Sequence, residues 1–161
     1  GDALHVLLEY LPALPRPHRA AAARTLLAGA DAGRDARLLA EAERLLAAPD
    51  LAALFGPQSH GEVAITASLP ALGARVAGRI DRLVVAPDRI LAADFKSNAV
   101  IPDRPEDVPE GLLRQMGAYG AALAQLYPDR RVDTALVWTR AARLMVLAPD
   151  ITAAALARAA P

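Results

Sequence analysis

The chain has 161 residues, with 18 Lys and Arg balanced by 18 Asp and Glu, and no cysteine. That length suits one domain with a proper core, and the zero formal charge argues against a large basic footprint for nucleic acid while leaving room for a local groove. Without thiols there are no disulfides, thiolate-held zinc or iron–sulfur clusters, so any metal must sit on oxygen and imidazole donors, which favours Mg²⁺ or Mn²⁺.

The hydrophobic fraction of 54% is mostly Ala and Leu, and only 4% of residues are aromatic, which predicts an aliphatic core. No apolar run approaches the roughly 20 residues of a membrane span, and the N-terminus lacks a secretion-signal pattern. A cytoplasmic setting is expected. The chain opens at Gly1 rather than methionine and enters a helical pattern at once, so it reads as a piece of a longer protein.

In chain order, "DALHVLLEYLPAL" predicts a first helix with Asp2 as N-cap, apolar residues at helical spacing and a stop at Pro12. His5 lies on it. A second helix follows Pro17 and ends at Gly29, and a third runs through "RDARLLAEAERLLAA" to Pro49. "LAALF" is a short apolar turn before the breaker cluster "GPQSHG", and His18 and His60 sit in loop-like contexts. The period then changes: "EVAITAS", "ARVAGRIDRLVV" and "RILAADFKS" read as three antiparallel strands. "AVIPDRPEDVPEG" is a proline-rich acidic loop that reads as a solvated connection, its place beside "DFKS" also allowing it to act as a lid; "GLLRQMGAYGAALAQLY" is a helix, "RVDTALVWT" and "RLMVLAP" two strands, and "DITAAALARAA" a last helix capped by Asp150. This order predicts an α/β fold, a mixed central sheet with flanking helices behind an N-terminal helical segment, with the helix after the third strand as the crossover.

In a symmetric turn centred on Pro87 and Asp88, Ala86 faces Arg89, and counting back sets Asp81 opposite Asp94. Like charges directly across a strand pair are destabilising, and burial makes their ionised forms costlier. A shared proton or a bound cation must compensate. Strand alternation points Lys96, the only lysine among 18 basic residues, to the same side as Asp94. An ammonium approaches a water or a phosphate oxygen as a compact point charge, and its pKa responds to burial, whereas a guanidinium stays protonated. Two carboxylates, a lysine and a hard cation suit phosphate-ester hydrolysis, and His5 is the best candidate for a further ligand.

"GRIDRL", "DFKS" and "RQMGAY", in that order on strand, strand and helix, resemble the motifs of the PD-(D/E)XK nuclease superfamily. The nearest likeness is to its RecB-like branch, whose helix carries Gln-x-x-x-Tyr, matched here by Gln115 and Tyr119. "GDALH" resembles the branch's Gly-x-x-x-His pattern, and "GEVAI" with Glu62 its acidic first core strand. The resemblance implies a restriction-endonuclease-like αβββαβ core and a Mg²⁺ or Mn²⁺ site of His5, Asp81, Asp94 and the backbone carbonyl of Phe95. It implies Lys96 as the catalytic base or water-positioning group, Glu62 as support for the ligands, and Gln115 and Tyr119 as contacts to the DNA backbone or to the lysine. The implied division is a single nuclease domain over 1–161: a helical segment 1–56 carrying His5, a nuclease core 61–148 and a C-terminal helix 150–160. Among relatives, "HVLLEYLPALPRPHR" looks most like the nuclease domain of an AddA-type helicase-nuclease subunit. The implied partners are then single-stranded DNA, attached helicase domains and an AddB-like or RecC-like subunit in double-strand break repair and recombination. A stand-alone nuclease and an inactive docking or DNA-exit module are the alternatives.

Overall fold

The computed structural model describes residues 2–29 and 31–159, Asp2 in its main chain only. Its centre is one five-stranded sheet in sequential order, with β1 Ser59–Leu69, β2 Ala74–Val85, β3 Arg89–Lys96, β4 Arg131–Trp138 and β5 Arg143–Leu147. Neighbours are antiparallel except β3 and β4, which run parallel. A parallel step needs a crossover, and α4 (Glu110–Leu126) supplies it. The α/β fold expected from the change of period is therefore present.

The sheet separates two aliphatic cores. On one face α4 and α5 (Pro149–Ala157) cover Ile80, Leu83, Ile90, Ala92 and Leu136. On the other, α1 (Asp2–Tyr10), α2 (Arg16–Leu27), α3 (Ala32–Ala47) and a 3₁₀ turn over Pro49–Phe55 cover Val84, Leu91, Ala93, Phe95 and Val137. The central strand β3 is buried on both faces, which is why "ILAADF" shows no polar alternation. Leu4, Leu7 and Leu8 on α1, continued by Leu11 in the 3₁₀ turn that follows it, form the buried stripe, as their spacing predicts.

Three boundaries differ from the sequence expectation. The residue that ends α2 in the left-handed region is Ala28 (φ 48), not Gly29; a Cβ at Gly29 would sit 2.2 Å from Asp35 Oδ2 and push that side chain aside. Asp150 does not cap α5: the N-cap is Ala148, and Asp150 lies in the first turn. His60 belongs to β1 and His18 to α2, both exposed. The 97–109 loop is also tied down, because Arg143 donates from Nη2 to the Asp103 carbonyl at 2.7 Å and from Nη1 to that of Pro102 at 3.3 Å.

One polar anchor sets α1 on the sheet. Arg82, 4% exposed, donates from Nη2 to the Leu8 carbonyl and, at 3.3 Å, to the Glu9 carbonyl, with its guanidinium 5.3 Å from the centre of the Phe55 ring. The last carbonyls of a helix have no partner within it and carry its negative end. A buried cation satisfies them, and they in turn offset its desolvation. Arg82→Met keeps much of the volume but removes these bonds, and should lower stability by about 1–3 kcal/mol, read as a drop in the urea midpoint. An unchanged midpoint would mean that α1 is held by its leucines alone.

Candidate active site

Strand β2 pairs with β3 from Val85↔Ile90 only as far as Arg82↔Ala93. Beyond that point β2 continues beside β1 to Leu69↔Ala74, and β3 continues beside β4 to Lys96↔Trp138. The two strands part where Asp81 and Asp94 come next in the register. The hairpin turn is the expected one, with the Ala86 N–H donating to the Arg89 carbonyl at 2.9 Å.

Asp81 fills the parting: its Oδ2 accepts the Phe95 N–H at 2.7 Å, the place a β2 carbonyl would have taken. The Lys96 carbonyl accepts from Thr139 N–H on the far side of β3. By alternation, the N–H and C=O of Phe95 both face β2 and the opening. The Phe95 ring is buried, 6.2 Å from the Phe55 ring and 5.8 Å from that of His5.

Asp94 is 4% exposed, and its Oδ2 lies 2.6 Å from Lys96 Nζ. This is an ion pair without hydrogen-bond alignment, for the same buried oxygen has no hydrogen-bond partner. Burial first, and then the neighbouring Asp94 charge, push the Asp81 carboxyl up to about 6 from its ordinary 3.8; the Phe95 N–H and His5 pull it down, and Glu62 adds to the rise. His5, half-buried on α1, reaches in from the helical face with Nε2 3.9 Å from Asp81 Oδ2. Its place in a Gly-x-x-x-His pattern involves Gly1, outside the described residues.

Glu62 joins this acidic row from β1. The β1–β2 register would set it opposite Asp81, yet the ladder passes from Gly61↔Arg82 to Val63↔Ile80 without that pair, and Glu62 has φ 53. Left-handed backbone at a glutamate is uncommon and strained. Its carboxylate stands 3.5 Å from Arg79 Nη1.

Gln115 and Tyr119, a turn apart on α4, brace β2 from the other face. The Tyr119 hydroxyl donates to the Arg79 carbonyl at 2.9 Å and accepts from Gln115 Nε2 at 3.2 Å. These bonds go to the β2 main chain and within the pair, not to Lys96. Burial foremost, with the Asp94 and Asp81 charges behind it, raises the phenol pKa and keeps it neutral. Gly78 makes room for the ring, since a Cβ there would lie 2.8 Å from Tyr119 Cε1. The sequence reading missed Gly78 and Arg82 as positioning residues; a lone glycine inside a strand pattern is the signal that points to the first.

The donors fit a hard divalent cation. Asp94 Oδ2 is a buried carboxylate oxygen lacking a hydrogen bond, Asp81 is held against its own ionisation, and the donor types are oxygen and imidazole. Among the described residues, no group of three or more His, Asp or Glu side chains is arranged to hold a metal ion by itself. The Phe95 carbonyl or water would therefore have to complete the set.

A search of curated proteins returned no match. A family model of the PD-(D/E)XK nuclease superfamily matches residues 1–157. That span takes in α1 with His5, all five strands, and α4 with Gln115 and Tyr119, and by this match the chain belongs to the PD-(D/E)XK nuclease superfamily.

Proposed function

We propose that this chain is a divalent-metal-dependent deoxyribonuclease domain that hydrolyses phosphodiester bonds. The observation that carries the proposal is the Asp81–Asp94 pair at the β2–β3 parting, with the lone lysine 2.6 Å from Asp94. His5, Asp81, Asp94 and the Phe95 carbonyl would hold Mg²⁺ or Mn²⁺. Such a cation, when bound, supplies Lewis acidity toward a phosphoryl oxygen and a more acidic water.

The side chains do the remaining work. Lys96 sits at the edge of the site with its ammonium fixed by Asp94, where it orients the attacking water and offsets negative charge gathering at phosphorus. Asp81 holds Phe95 through its N–H and so keeps β3 presented to the opening. Tyr119 and Gln115 fix the β2 main chain beside Asp81, and Glu62 adds negative charge that favours cation over anion at this point of the sheet.

In its wider setting, we read the chain as a RecB-like exonuclease domain of AddA type. It would work on single-stranded DNA delivered by attached helicase domains, beside an AddB-like or RecC-like subunit, in double-strand break repair. The Gln115–Tyr119 spacing and the zero formal charge support this reading, because a domain supplied with its substrate need not capture DNA over a broad surface. A stand-alone nuclease is the alternative. No helix among the described residues is long and apolar enough to cross a membrane.

Asp94→Asn and Lys96→Ala should each lower Mn²⁺-dependent cleavage of a labelled DNA strand by about 10²–10³-fold or more, with circular dichroism unchanged. Cleavage at the wild-type rate would remove the residue concerned from the mechanism. Calorimetric titration with Mn²⁺ should give binding to the wild type that Asp81→Asn weakens; a folded chain that takes up no Mn²⁺ would instead be an inactive docking module.

The raised pKa of Asp81 gives a further expectation in EDTA. The native state holds this proton more tightly than the unfolded chain, so the contribution of Asp81 to stability is complete below pH 4 and lost as pH rises through about 6. The loss is bounded by about 3 kcal/mol, at about 1.4 kcal/mol per tenfold change in proton affinity, and partial hydration reduces it. Melting temperatures measured from pH 4 to 7 should therefore fall more steeply in the wild type than in Asp81→Asn. Parallel curves would show that neither burial nor the Asp94 charge raises the Asp81 pKa in the folded chain.

A further inference from the structure

Past the parting, β1 and β2 continue as a two-stranded arm that β3 does not accompany. Its back is apolar and packed on α4 through Val63, Ile65, Ala67 and Ile80, and Gln125 Nε2 donates to the Ser68 carbonyl at 2.9 Å. Its front is exposed and of a different make-up. On β2, Arg75, Ala77 and Arg79 face solvent; opposite them on β1 stand Ser68, Thr66 and Ala64, also exposed. Asp81 lies two residues beyond Arg79, and Arg79 Nη1 touches the acidic row at Glu62. At about 3.3 Å per residue, Arg75 stands roughly 13 Å beyond Arg79 along the same line.

We infer that the front of this arm is a phosphate track on which a single DNA strand lies as it enters or leaves the acidic site. The inference rests on the nuclease reading and adds where the strand runs and what it meets. Two arginines in one line give two positive charges to one phosphate chain. The β1 half of the face carries no charge that would bind a second. Between the arginines no side chain is larger than threonine, so a sugar–phosphate backbone can approach the strand closely. The face has no aromatic ring for base stacking, the usual basis of single-strand binding apart from charge. Contact is therefore with phosphates alone and indifferent to sequence.

The test uses a fluorescein-labelled oligothymidylate of about 20 nucleotides and anisotropy titrations in EDTA over a range of KCl, with the wild type, Arg75→Ala/Arg79→Ala and a control, Arg34→Ala/Arg37→Ala. The control removes the same charge from exposed positions on α3. Thermal melts establish that each variant folds. The arm variant should bind about tenfold more weakly, and its slope of log affinity against log salt should be shallower by about 1.4, at about 0.7 per single-strand phosphate contact. The control should match the wild type. Equal weakening in both variants, or an arm variant indistinguishable from wild type, overturns the track while leaving the nuclease reading in place. A wild type that neither binds the oligonucleotide nor cleaves it with Mn²⁺ overturns both.

Discussion

Everything at this site depends on where β2 lets go of β3. Had the ladder run one pair further, Asp81 and Asp94 would sit side by side on a closed sheet, and the Phe95 N–H would be spent on a carbonyl. Because pairing ends at Arg82↔Ala93, the next main-chain donor is met by a carboxylate, and a wedge opens between the strands. Two carboxyls then share a space too dry for both to be comfortably ionised, with Lys96 close to one and His5 close to the other. The tension is local, and a cation or a proton relieves it.

Holding such a wedge open requires stiffness elsewhere, and β2 is gripped from both faces. Arg82 fastens it to the end of α1, while Tyr119, seated over Gly78, fastens it to α4. These neighbouring grips use opposite chemistry, a buried cation on helix carbonyls and a phenol on a strand carbonyl. Together they keep the His5-bearing helix, the acid-bearing strand and the crossover helix in fixed relation. A similar economy appears at the far end of β3 and β4, where Asp133, 1% exposed, is held between Arg89 and Arg131. There the buried carboxylate is fully paired, and no tension remains.

Much of this was readable in the residues. The register around Pro87 and Asp88 follows from turn symmetry, and strand alternation brings Lys96 to Asp94, because both depend on local geometry alone. The change of period marks the helix-to-sheet boundary and the crossover. What escaped is tertiary. No pattern in "GRIDRL" tells that Arg82 is buried beneath a helix formed some 74 residues earlier, since an arginine at that position reads as a solvated strand residue. That Ala28 rather than Gly29 takes the left-handed turn at the end of α2 has no signal in the local sequence. Asp150 lies two residues past the N-cap Ala148, as the helix begins at Pro149, a residue suited to a first turn.

The backbone of Glu62 carries a consequence of its own. Glycine would occupy a φ of 53 without steric cost, and the chain places a glutamate there, directly after a glycine that stays in ordinary territory. Durability of the fold and location of the carboxylate thus ask for different residues at one position, and this chain has settled in favour of the charge.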